Sequence, residues 1–191
     1  MKVLVIYTHP NPESFNHAVL ENVLKGLKES EHEVKEKDLY KLAIKNTLDK
    51  KDFEALLSGD VPDDIQIEHK DISWAEALIF IYPTWWYGRP ALLKGWIDRV
   101  WSNNFAYEYV DNKAKGLLKH NKALIITTLG ASEEDLKDED KQAIKLPMVH
   151  GTLNFCGIKN VDFKPFYGFV NNTEEERKAI LEEVYQLAKD F

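Results

Sequence analysis

The sequence predicts an α/β fold, a doubly wound parallel sheet of five strands with helices on both faces. Three observations carry this. Short apolar runs rich in Val, Ile and Leu recur along the chain, at residues 3–7, 77–82, 123–127 and, more weakly, 161–166. The first three are continuous rather than alternating, as strands buried on both faces require. Helical patterns lie between them.

Taken in order, the first run leads into a helix on which Phe15, Val19, Val23 and Leu27 recur at four-residue steps, with Ser14 suited to cap it. "HEVKEKDLY" alternates poorly and reads as an edge strand. Residues 41–72 read as an irregular connection. After the second apolar run, Leu92, Leu93, Trp96, Ile97 and Val100 form one apolar helix face, with Pro90 at its first turn. Residues 132–145 read as a charged, solvated helix or loop. Ile180, Leu181, Val184, Leu187 and Ala188 mark a final helix opened by Asn172 or Thr173, and Glu174, Glu175 and Glu176 sit favourably at its positive end. No repeat, low-complexity stretch or linker interrupts residues 1–191, so a single domain is expected.

Composition excludes several functions. The 191 residues are 44% hydrophobic and 30% charged, a globular balance. Net charge is −7 and no Lys/Arg block stands out, which argues against nucleic acid as a partner. Cys156 is the single cysteine, so no internal disulfide forms and a cytoplasmic location is expected. "MKVLVIY" is too short for a secretory signal. "ALIFIY", the longest apolar run, falls far below the roughly 20 residues of a membrane helix, so no integral membrane segment is expected.

In doubly wound sheets ligands bind beyond the carboxyl ends of the strands. Three loops lie there: "THPNPESFN", "PTWWYGRP" and "TTLGAS". The first enters a helix N-terminus, where free N–H groups and the helix dipole seat an anion; Ser14 and Asn16 add side-chain donors, and His9 can bond a phosphate. It lacks G-x-G-x-x-G, and no G-K-[ST] occurs, which excludes the usual dinucleotide and triphosphate loops. An ordinary capped turn is the alternative. In the second loop Trp85, Trp86 and Tyr87 form either a core or interface cluster, or a wall for a flat polycyclic ligand whose polar edge meets amides of residues 83–87. The third offers the hydroxyls of Thr127 and Thr128 and a glycine, Gly130. Together they provide a phosphate seat, an aromatic floor and a polar rim, the needs of a flavin nucleotide.

On "HPNPESFNHA", "YPTWWYGRPALLKGWIDRVW", "FAYEY", "KALIITTLGA" and "HGTLNFCGI" the chain resembles the flavodoxin-like NAD(P)H:quinone oxidoreductases, the DT-diaphorase-like family with its general stress protein 14-type bacterial reductases. The resemblance implies FMN, or alternatively FAD, with NADH or NADPH as donor and a small quinone-like acceptor. It implies ping-pong hydride transfer through flavin N5 in a homodimer with its site between subunits. It implies phosphate contacts from His9, Ser14, Phe15 and Asn16, and places Pro83, Thr84, Trp85, Trp86 and Tyr87 along the isoalloxazine. Thr127, Thr128 and Gly130 would face its other side. Trp86 and Tyr87 would shape the substrate slot, and Tyr107 and Tyr109 would line the partner subunit's. Arg177 aligns with an arginine that contacts adenosine in FAD-binding relatives.

Leu129 stands where the family commonly has glycine, and "SEEDLKDEDKQAIKL" has neither the Tyr nor the His that follows this loop in the animal enzymes. No side chain is therefore assigned as catalytic. His150, the nearest histidine, reads as a packing or capping residue. Some family members are ancillary subunits that regulate potassium-efflux antiporters, which is the alternative function. A remoter one is the zinc-dependent deacetylases with H-P-[DE]-D-E after a first strand; here Asn11 and Pro12 occupy the ligand positions, so no metal site is expected.

Overall fold

The computed structural model describes residues 1–42 and 44–191. In chain order its elements are β1 (Lys2–Tyr7), α1 (Phe15–Glu29), β2 (Glu33–Asp38), α2 (Lys50–Ser58), α3 (Asp63–Trp74), β3 (Ala77–Pro83), α4 (Ala91–Val100), β4 (Tyr107–Val110), β5 (Lys113–Gly116), β6 (Lys122–Thr128), α5 (Asp138–Met148), a π-helix (Val149–Asn154), β7 (Val161–Phe166) and α6 (Glu174–Lys189). Five strands pair in the order β2-β1-β3-β6-β7, every pair parallel, while β4 and β5 form a separate antiparallel hairpin. The predicted doubly wound sheet is present, and the weak second strand is its edge.

Successive strand residues point to opposite faces. Leu4, Ile6, Leu78, Phe80 and Ile125 therefore join Ile72 of α3 and Leu93, Trp96 and Val100 of α4 in one core. Val3, Val5, Tyr7, Ile79, Ile81 and Ile126 join α1 and α6 in the other. With both faces covered, neither set can be polar, which is why the runs are unbroken. Ser14 caps α1, its Oγ accepting from the His17 amide at 3.2 Å. Thr173, not Asn172, caps α6, in a reciprocal pair with Glu176.

Residues 41–72 are not an irregular connection, since they hold α2 and most of α3. Their helical pattern is hidden because charged side chains occupy inward positions. Glu68 of α3 is 3% exposed, its two carboxylate oxygens taking Lys37 Nζ at 2.8 Å and Trp96 Nε1 at 2.7 Å. Asp52 of α2 accepts from Arg99 Nε and Nη2, both at 3.1 Å, and Asp64 of α3 accepts from Arg99 Nη1 at 2.7 Å. That guanidinium holds the Asp52 carboxyl down to about 2. One arginine on α4 thus clamps both helices on the side of the first core. Gly95 permits the contact: a Cβ there would lie 1.7 Å from the Asn46 carbonyl oxygen.

Residues 132–145 form a helix only from Asp138 onward. Pro147 lies inside α5 and the π-helix follows directly, with Thr152 Oγ1 donating to the Pro147 carbonyl at 2.8 Å. Among the described residues no helix is long and apolar enough to cross a membrane.

Candidate functional site

Sheet order reverses at β1, so the crevice expected from topology opens between the loops after β1 and β3. All three candidate loops meet there. The Thr84 amide donates to the Thr128 carbonyl at 2.8 Å, the Thr84 and Thr127 hydroxyls lie 2.7 Å apart, and Asn16 Nδ2 donates to Thr128 Oγ1 at 2.8 Å. The His9 and Trp85 rings lie 6.2 Å apart. Thr127, Thr128 and Asn16 are buried; Thr127 Oγ1 pairs with the Thr84 hydroxyl and Thr128 Oγ1 accepts from Asn16 Nδ2, so these side chains tie loop to loop.

The first loop keeps other donors. The amides of Phe15 and Asn16, at the open end of α1, have no acceptor among the described residues. His9 Nδ1 lies 3.1 Å from both the Asn11 amide and the Asn11 carbonyl oxygen, accepting from the first or donating to the second according to tautomer, while Nε2 has no partner among the described residues. Ser14 Oγ accepts in the cap and also lies 3.4 Å from the Tyr7 hydroxyl, where either oxygen can donate. Thr8 Oγ1 and Asn16 Oδ1 are buried beside this seat without partners among the described residues. Phe15 stacks on Phe169 with centroids 6.2 Å apart, a neighbour that sequence reasoning missed.

The second loop is a two-residue hairpin turn. Trp85 and Gly88 exchange two backbone hydrogen bonds of 2.9 Å, and Trp86 and Tyr87 between them have φ of +51° and +60°. Such turns normally carry Asn or Gly at both positions, so two aromatics there store strain. Trp86 is 99% exposed. Pro83 has no N–H and the amides of Thr84 and Trp85 are bonded internally, so of residues 83–87 only Trp86 and Tyr87 keep free amides among the described residues. Burial, then Asp140, push the Tyr87 phenol pKa up and keep it protonated.

In the third loop the Leu129 amide donates to the Phe166 carbonyl at 2.8 Å, and the Leu129 side chain is buried. Gly130 and Ala131 keep free amides among the described residues. Thr84, Trp86, Tyr87, Gly130 and Leu129 line a cavity of about 180 Å³, which Leu136 and Ile144 complete. Those last two were missed in the charged run; their signal was two apolar residues standing among acids and lysines.

Tyr107 and Tyr109 share one face of β4, as their spacing requires, with rings 5.9 Å apart and nearly perpendicular. Within one chain they do not meet Trp86 and Tyr87. They line a second cavity of about 380 Å³ with Phe155, Trp101, Cys156 and Arg89. Phe155, 5.3 Å from the Tyr107 ring and 41% exposed, was also overlooked. Gly116 seats the hairpin here, because a Cβ would come within 2.3 Å of the Cys156 backbone. Burial pushes the Cys156 thiol up to about 12, which makes it inert. His150 is exposed and its side chain caps nothing among the described residues; Arg177 is exposed on the first turn of α6.

The profile of the flavodoxin-like fold family matches residues 1–189. An uncharacterized NAD(P)H oxidoreductase of Haemophilus influenzae is 34% identical, covering 95% of this chain and 91% of that protein. NAD(P)H dehydrogenase [quinone] 1 of Cavia porcellus is 32% identical over 94% of this chain and 73% of its own length. The solved NAD(P)H:quinone oxidoreductase of Methanothermobacter marburgensis superposes with a TM-score of 0.90 at 32% identity, covering 100% of this chain and 96% of that one. With this fold, these loops and likeness along nearly its whole length, the chain belongs to the flavodoxin-like NAD(P)H:quinone oxidoreductase family.

Proposed function

We propose that the protein is a flavin-dependent NAD(P)H:quinone oxidoreductase, one domain over residues 1–191, working in the cytoplasm as a homodimer. The observation that carries this is the convergence of unpaired backbone amides, from Phe15 and Asn16, Trp86 and Tyr87, Gly130 and Ala131, around one crevice. Their chemistry fits a flavin nucleotide. The α1 N-terminus, Ser14 and His9 Nε2 suit its phosphate, and the other four amides suit the polar edge of its ring. FMN is preferred, and exposed Arg177 keeps FAD in contention.

Bound there, the flavin supplies a ring that accepts hydride from NADH or NADPH and yields it to a quinone. The chain's own work is positional. Trp86 and Tyr87 wall the slot, Thr84, Thr127, Thr128 and Asn16 lock the loops in register, and the free amides oppose negative charge with no side-chain base. Donor and acceptor both stack on one flat face, so they occupy it in turn, which predicts ping-pong kinetics.

One chain does not enclose this slot. At about 180 Å³ its cavity falls short of the roughly 300–1,000 Å³ of a closed ligand site. Tyr107 and Tyr109 stand in a different cavity, which supports their closing the site of a second copy. Anaerobic stopped-flow mixing of the purified protein with NADH and NADPH tests the reading. Bleaching of bound flavin by either, reversed by menadione with parallel-line steady-state kinetics, is expected; a colourless protein or an unbleached flavin overturns it. Chromatography of heat-released cofactor separates FMN from FAD, and light scattering reads the dimer.

A further inference from the structure

The larger cavity, about 380 Å³, holds polar groups that the proposed reaction does not use. Lys94 Nζ bonds both Asp98 carboxylate oxygens at 2.6 Å, a self-contained pair. Thr152 Oγ1 is held by the Pro147 carbonyl. The groups left over are donors. Arg89 Nε is buried with no acceptor, and Arg89 makes no ion pair among the described residues. Trp101 is 5% exposed, and its indole N–H also lacks an acceptor. A buried donor without a partner costs about 1–3 kcal/mol, more when charged, so a wall with such donors and no free buried acceptor is built for a ligand rich in acceptor oxygens. The same cavity exposes the flat rings of Tyr107 and Phe155, and burial holds the Arg89 guanidinium below its usual value without a carboxylate bonded to it.

We infer that this cavity is an anion subsite: Arg89, with the Trp101 indole N–H, binds the sulfonate, carboxylate or phosphate group of a flat aromatic electron acceptor whose ring lies against Tyr107 and Phe155. Asp98, the one acid in the lining among the described residues, is held by Lys94 as an ion pair, which leaves the Arg89 guanidinium as the unpaired charge of this wall. Guanidinium recognises an oxyanion with paired donors, which ammonium reproduces as a point charge only.

Because the ligand class rests on the oxidoreductase reading, the first probe is one that cannot be reduced. Naphthalene-2-sulfonate is titrated calorimetrically into the holoprotein, with 2-naphthol as the uncharged control. The sulfonate should bind about 10-fold more tightly than the control, Arg89→Gln should erase that preference, and Arg89→Lys should keep part of it. In turnover, kcat/KM for 1,4-naphthoquinone-2-sulfonate relative to 2-methyl-1,4-naphthoquinone should fall about 10-fold in Arg89→Gln. Flavin content and near-UV dichroism of both variants report folding. Equal binding of the two probes by the native protein, or an unchanged preference in Arg89→Gln, overturns the inference. A change confined to KM for NADH or NADPH overturns the acceptor assignment and gives the anion to the dinucleotide phosphates. Failure of both nucleotides to bleach the flavin defeats the oxidoreductase reading, while the probe titration still decides the subsite.

Discussion

Replacing Trp86 by glycine should make the flavin-free protein more stable and its flavin binding weaker. Trp86 sits at φ +51° in the hairpin turn, a region that costs a non-glycine residue about 1–2 kcal/mol. Its side chain is 99% exposed, so no packing opposes the change. Glycine relieves the strain but adds about 0.5–1 kcal/mol of unfolded-state entropy, leaving a net gain of about 0.5–1 kcal/mol. For a chain of 191 residues that is a rise in Tm of about 1–4 °C. The lost ring removes a stacking surface worth about 0.5–1.5 kcal/mol, a 2- to 10-fold weaker flavin on this scale. Calorimetry of the stripped protein reads the first effect, and flavin fluorescence titration the second. A Tm that falls by several degrees in the flavin-free variant would show that the indole holds the native fold together, and the strain argument would be wrong. Unchanged flavin affinity would remove Trp86 from the slot.

Three other perturbations have defined outcomes. Stability should decline as pH falls below about 6.5: burial depresses the pKa of His69 and His120, whose Nε2–H groups donate to the Val100 and Ile72 carbonyls, so the unfolded chain takes up protons the native one refuses. Asp52 adds a second loss, since its contribution is complete above 3.8 and disappears toward about 2; urea midpoints flat from pH 7.5 to 5 would contradict the histidine part. Arg99→Met leaves Lys45 as the one cation on the buried Asp52 carboxylate among the described residues and should cost about 1–3 kcal/mol in urea unfolding, whereas a cost below 1 kcal/mol would mean α2 and α3 are held by other contacts. Ser14→Ala with Asn16→Ala should lose about 1 kcal/mol for the cap, plus the tie to Thr128, and weaken flavin binding about 10-fold or more; full flavin retention would place the phosphate elsewhere.

What the sequence made legible follows from burial. β1, β3 and β6 are covered on both faces, so composition alone marks them, and their ends then locate three loops that do converge. α2 and α3 escaped because Asp52, Glu68 and Arg99 are buried as mutually bonded charges, and a hydrophobicity pattern counts every charge as solvent-facing. The turn at Trp86 and Tyr87 escaped because its signature residues are absent; only the backbone reveals left-handed φ beneath two aromatics. The ties of Thr127 to Thr84 and of Thr128 to Asn16 were not legible, since spacing along a strand does not say whether a hydroxyl meets a ligand or another loop. Phe155 lay in a quoted motif, but the π-helix that delivers it beside Tyr107 has no periodicity in the sequence.

Leu129 anchors the third loop to β7. Its amide is committed to the Phe166 carbonyl and its side chain turns into the protein, so the residue offers the crevice no donor and blocks none. The amides that remain open belong to Gly130 and Ala131, one and two positions further on. A backbone donor is indifferent to the side chain attached to it, provided the turn is preserved. The same holds at Trp86 and Tyr87, where both exposed N–H groups depend on a left-handed conformation that no side chain there favours. Hydride transfer needs two flat partners held at a fixed distance and a field that favours negative charge on one of them, not a proton relay. A site built from amides meets that need without a histidine or tyrosine in the third loop. It also concentrates the residue-specific choices in the walls, where Arg89, Tyr107 and Phe155 would decide which acceptor enters.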